Sequence, residues 1–134
     1  MNEKEKNNLI KKIAKRYSLR LLLLFGSQVE GKNLHSESDF DVAYLSAKKL
    51  TLRQETRMML ELSPYFRSEN IDLVNLKEAS PLLFYSVFQK CKVIYQENDL
   101  IFPSYRVYSF KKYIEAKPLY ELKFQRFKEK IKTY

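Results

Sequence analysis

The run Leu21-Leu22-Leu23-Leu24-Phe25 stops at Gly26, one of only two glycines in the chain. A short continuous apolar run that ends on a turn residue reads as a buried strand. After an eleven-residue spacer, Gln28 to Ser38, comes Asp39-Phe40-Asp41-Val42-Ala43-Tyr44. Here Phe40, Val42 and Tyr44 alternate with Asp39, Asp41 and Ala43, the period of a strand. Two acids inside an otherwise apolar strand are costly unless something compensates them. Any fold for this chain has to place them where compensation is available.

The rest of the chain alternates helix and strand. Leu9, Ile10, Ile13 and Ala14 form an apolar stripe, which predicts a helix over 3–16. Thr51 predicts the cap of a helix over about 52–66, ended near Pro64. Ile71 to Leu76 reads as a strand, Ser80-Pro81 as the start of a helix reaching about Lys90, and Val93-Ile94-Tyr95 as a last short strand. Residues 99–134 read as one long helix or two, with Pro118 as the break. The expected class is α+β: a small, mixed, twisted sheet flanked by helices. With 134 residues this is one domain, a core of about 8–96 plus a helical extension of about 98–134.

Composition narrows the setting. Apolar residues make up 45%, enough for a packed core. Cys91 is the sole cysteine, so no intramolecular disulfide can form and a cytoplasmic location is expected. The N-terminal MNEKEKNN lacks the apolar centre of a secretory signal. The longest apolar run falls far short of the roughly 20 residues of a membrane helix, so no membrane partner is expected. The net charge of +9 sits at the two ends. Residues 1–20 carry seven Lys/Arg against two Glu, and 106–134 carry nine against three. These are either solvated helix faces or surfaces for an acidic protein or, weakly, for RNA.

The acids carry the chemistry. Side chains at i and i+2 of a strand share a face, so Asp39 and Asp41 project together while Phe40 and Val42 turn to the core. A divalent cation is the simple compensation, and oxygen-only ligands favour Mg²⁺ or Mn²⁺ over zinc. Asp72, between Ile71 and Leu73, is a third acid in the same kind of place. If its strand neighbours that of Asp39 and Asp41, three carboxylates can hold two metals about 3.5–4 Å apart, as in phosphoryl and nucleotidyl transfer. Gly26 lets the backbone approach a ligand closely, and Ser27 at a helix start offers a hydroxyl and free N–H groups to phosphate. Gln28 and Lys32, just downstream, are further candidates to reach phosphates.

Phe25-Gly26-Ser27, then Asp39-Phe40-Asp41-Val42, then Asp72 resembles the active-site signature of the polymerase-β-type nucleotidyltransferase superfamily. It is most similar to the minimal nucleotidyltransferase (MNT) branch, with a spacer one residue longer than usual. The segments IDLVNLKEASPLLFYSVFQKCKVIYQ and YIEAKPLYE extend the resemblance to roughly residues 8–125. The resemblance implies an antitoxin that transfers AMP from ATP to a tyrosine of a HEPN-domain toxin. It implies Gly26 and Ser27 on the triphosphate, Asp39 and Asp41 on two Mg²⁺ ions, and Asp72 on one metal and as, or beside, the base. The rival readings are an antitoxin that acts by binding alone and a nucleotidyltransferase with another acceptor, tRNA or an aminoglycoside. About 30 residues follow the last strand, little room for the substrate domain that drug-modifying relatives add. His35 reads as a solvated loop residue and Cys91 as a small buried hydrophobe. The aromatic residues of 102–127 divide between core and a candidate protein interface.

Overall fold

The structure, a computed structural model, describes residues 1–29 and 39–132. The elements follow in the order α1 (Glu3–Arg16), β1 (Leu19–Phe25), a single 3-10 turn (Gly26–Gln28), β2 (Phe40–Ser46), α2 (Leu52–Phe66), β3 (Ile71–Asn75), a second 3-10 turn (Leu76–Glu78), α3 (Pro81–Gln89), β4 (Cys91–Gln96) and α4 (Ile101–Lys132). The four strands form one sheet in the order β3-β2-β1-β4. β1 runs antiparallel to both neighbours, β2 and β4, whereas β2 and β3 are parallel. The sheet is mixed, as expected.

The leucine run occupies an inner strand covered on both sides. Leu22 and Leu24 join Val42, Tyr44, Ile10, Ile13, Met58 and Leu62 in a core beneath α1 and α2. Leu21 and Leu23 join Ala43, Leu45, Val87, Phe88 and Ile101 in a second core beneath α3 and α4. Leu21, Leu22 and Leu23 are fully buried, each worth about 1.5–3 kcal/mol, and β2 beside them buries Val42, Tyr44 and Leu45 as completely. Period-two geometry divides the leucine run between the two faces. That explains why it shows no polar alternation.

The helix starts follow the capping residues. Asn2 accepts from the Glu5 N–H at 2.8 Å. Thr51 and Gln54 form a reciprocal capping box at 2.9 and 3.1 Å. Ser80 accepts from the Leu83 N–H at 3.2 Å with Pro81 at the first helical position. Arg16 and the Tyr17 hydroxyl both donate to Glu61, which ties the end of α1 to α2.

α2 ends where expected, and residues 99–134 follow the single-helix alternative; both helices carry an internal proline. α2 continues through Pro64 to Phe66, and Arg67 then stops it in the left-handed conformation. α4 is one element that passes through Pro118, not two. A proline removes one i→i−4 bond and crowds the preceding turn. Here the flanking turns on both sides keep their own bonds, so the helix persists. Pro103 falls in the first turn of α4, where its missing N–H costs nothing. The second 3-10 turn had no sequence signal, because it is three residues long and held by Asn75, whose side chain accepts from the Lys77 N–H at 3.1 Å. No helix among the described residues is long and apolar enough to cross a membrane.

Candidate active site

Three strand ends meet at one edge of the sheet. Phe25, the last residue of β1, pairs with Asp41 near the start of β2. Asp41 pairs in turn with Asp72 in β3. Neighbouring strands lie about 4.8 Å apart, so the carboxylates of Asp41 and Asp72 are immediate lateral neighbours. Their faces agree. Asp41 precedes Ala43 and Leu45 on the α3–α4 side, and Asp72 precedes Val74 and Leu76 on that same side. Asp39 lies just outside β2, two residues before Asp41, and is exposed. Phe40 turns the other way and packs its ring 4.9 Å from that of Phe66 on α2. That contact fixes which face the two aspartates take.

The electrostatics follow from this crowding. Burial raises the Asp41 carboxyl above the usual carboxylate range, and repulsion from Asp72 and then Asp39 adds to the rise. Asp41 thus feels both other acids, although among the described residues no three His, Cys, Asp or Glu side chains are gathered into a metal cage. Hard cations of the Mg²⁺ type use one or two carboxylates with substrate phosphates rather than an all-protein cage. A set of mutually repelling carboxylates without soft ligands suits such an ion.

Gly26 explains itself here. Its φ is +77°, a conformation that costs an L-residue strain. A Cβ at this position would collide with the Asp41 carboxylate, 3.1 Å from Cγ and closer still to Oδ2. The backbone of the turn thus passes directly over the acid. Sequence reading places a glycine near a ligand. It does not show that the side chain beneath is Asp41, because the contact spans two strands.

The other candidates separate. Ser27 is exposed in the turn, at the same edge as Asp41. Gln28 is buried, 6% exposed, and so sits within the turn and not at its open side. Lys32 and His35 lie outside the described residues. Cys91 is half-buried and opposite Phe25, and burial pushes its thiol up, with Arg106 opposing the rise. Arg106 brings an exposed guanidinium from α4 to the side of the sheet that carries the acids. No local sequence signal marks it, since its position depends on how α4 packs.

The family described as polymerase beta, nucleotidyltransferase matches residues 7–100. The protein adenylyltransferase MntA of Shewanella oneidensis is 31% identical over 105 residues, covering 76% of this chain and 74% of that protein. Among solved structures, one described as a toxin–antitoxin with AMP-PNP superposes with a TM-score of 0.75 at 25% identity, covering 90% of this chain and 97% of that one. An MNT antitoxin in complex with a tri-AMPylated Shewanella oneidensis HEPN toxin superposes with a TM-score of 0.70 at 22% identity, over 94% and 98% of the two chains, and shares the fold. The strand-edge carboxylates, the glycine turn set over them and these matches agree: the chain belongs to the polymerase β nucleotidyltransferase family.

Proposed function

We propose that this protein is an antitoxin that transfers AMP from ATP to a tyrosine hydroxyl of a HEPN-domain toxin. The observation that carries the reading is the pairing of Asp41 with Asp72 in register, with the Gly26 turn laid across Asp41. Such an edge offers a phosphate-accepting turn and a cation-binding acid set within one ligand's length. The likeness to MntA, named a protein adenylyltransferase, supplies the reaction class.

In this reading Gly26 and Ser27 hold the triphosphate, with Gln28 and, further along the sequence, Lys32 as additional phosphate-binding candidates. Asp39, Asp41 and Asp72 would hold Mg²⁺, which would supply charge neutralisation for the carboxylates and the phosphates. The tyrosine oxygen attacks the α-phosphorus, a new P–O bond forms, the bond to the bridging oxygen breaks, and pyrophosphate leaves. Asp72, which is exposed, takes or directs the hydroxyl proton. The chain's share of the rate is positioning and charge compensation.

The test uses the purified protein, ATP, Mg²⁺ and a cognate HEPN-domain toxin. Pyrophosphate should appear only when the toxin is present, and should stop when the acceptor tyrosine is Phe. In cells, Asp39→Asn/Asp41→Asn should fail to neutralise the toxin. Full neutralisation by that double variant would instead assign protection to binding alone.

A further inference from the structure

The unexplained part of the molecule is the far half of α4. Tyr113 stacks on Tyr85 of α3 with ring centroids 4.1 Å apart, and the Tyr120 hydroxyl accepts from the Leu82 N–H at 3.3 Å. Leu82 is the second residue of α3, so α3 provides no cover beyond this point. The stripe does not end there. At 100° per residue, Phe124, Phe127 and Ile131 continue the line of Tyr113 and Tyr120 within about 60° of arc. They are 57%, 58% and 57% exposed. A groove of about 340 Å³ opens where cover is lost, lined by Leu82, Tyr113, Lys117, Tyr120, Glu121 and Phe124.

The stripe has a basic frame. Residues 117–132 carry six Lys/Arg against two Glu. Lys128 lies over the Phe124 ring at 4.7 Å, and Lys123 and Lys130 flank the stripe on its other side. Two copies of such a surface would bring like charges together, which disfavours a second copy of this chain. A flat lipid surface suits a helix with one apolar face. α4 also exposes Leu119 and Leu122, at 54% and 44%, on its back side, so it does not divide into one apolar and one polar face.

We propose that residues 120–131 of α4 are the docking element for a protein partner, and that the occupant is an apolar helix edged with Asp and Glu that lies along α4 where α3 leaves off. The geometry is helix against helix, the one by which α3 covers the first half of the stripe. Apolar contact supplies the affinity, and the lysine frame supplies orientation and rate of encounter. The proposal rests on the reading above in one respect: the partner is the toxin that accepts AMP. It makes α4 the element that brings the acceptor, remote from the carboxylates that act on it.

The experiment measures binding of the full-length protein to that HEPN-domain toxin without ATP, so that transfer does not enter. Phe124→Ser/Phe127→Ser should weaken binding at least tenfold, and Lys123→Glu/Lys130→Glu should slow association and flatten its salt dependence. ATP binding and circular dichroism should stay unchanged in both. Unchanged toxin affinity overturns the proposal. So does a loss seen only in self-association by sedimentation, in binding to phosphatidylglycerol vesicles or in binding to RNA. If the wild-type protein binds the toxin through these residues but transfers no AMP, the catalytic reading falls and this surface stands. If transfer proceeds and affinity is indifferent to both variants, the reverse holds.

Discussion

Asp41 takes up a proton more readily in the fold than it would in water. Burial and two neighbouring acids favour its protonated form, so the folded chain binds a proton more tightly than the unfolded chain does. The sign follows. With the folded value raised, the cost of ionised Asp41 is absent below the ordinary carboxylate range, and stability falls as the pH rises through the raised value. Asp41→Asn should therefore raise the melting temperature of the metal-free protein at about pH 7, with a gain that shrinks as the pH falls towards and below the ordinary carboxylate range. It should also abolish transfer. Thermal denaturation across that range checks the first half. Gly26→Ala should do the opposite to stability. The positive φ alone costs about 1–2 kcal/mol for a residue with a Cβ, and the collision with Asp41 adds to it. A displaced carboxylate should lower kcat/KM on the order of 100-fold, measured by pyrophosphate release. At this scale the sequence was legible in type and not in contact. Asp39, Asp41 and Gly26 announce themselves by being out of place in apolar or turn contexts. That Gly26 sits on Asp41, and that Asp72 is next to it, depends on pairing between residues 15 and 31 positions apart.

The elements were legible where a local signal fixes them. Thr51 and Ser80 each cap the helix that follows, because one side-chain oxygen and one N–H decide the start, whereas the Asn2 cap of α1 emerges only from the structure. Thr51→Ala should cost about 1 kcal/mol, read from the denaturant midpoint, since it removes one half of the capping box at the start of α2. The prolines were less legible. Pro64 and Pro118 mark stops on local grounds, yet α2 and α4 run through them. A single lost hydrogen bond is a penalty that neighbouring turns can outweigh, and sequence alone does not give the balance. Pro118→Ala should restore the missing bond and stabilise the far half of α4 locally, by about 1–3 kcal/mol. Hydrogen exchange at residues 119–132 should slow, with little change elsewhere.

At the scale of the whole molecule, the sheet order is what makes a site. β1 lies between β2 and β4, and β2 carries Asp41 between the Gly26 turn on one side and Asp72 on the other. The helices α1 and α2 hold one face and α3 and α4 the other, and among the described residues no helix covers the carboxylate edge. The mixed sheet and its helical layers follow from the alternation of periods two and 3.6 along the chain. The strand order does not, since periodicity identifies strands but not their neighbours. The central claim is that these strand edges transfer AMP to a partner protein. Intact mass spectrometry of the HEPN-domain toxin, after incubation with this protein, ATP and Mg²⁺, measures it most directly. The toxin should gain one or more whole AMP units with wild-type protein and none with Asp39→Asn, whose circular dichroism should match the wild type. A toxin of unchanged mass beside active, folded wild-type protein, or an equal gain with Asp39→Asn, would contradict the account.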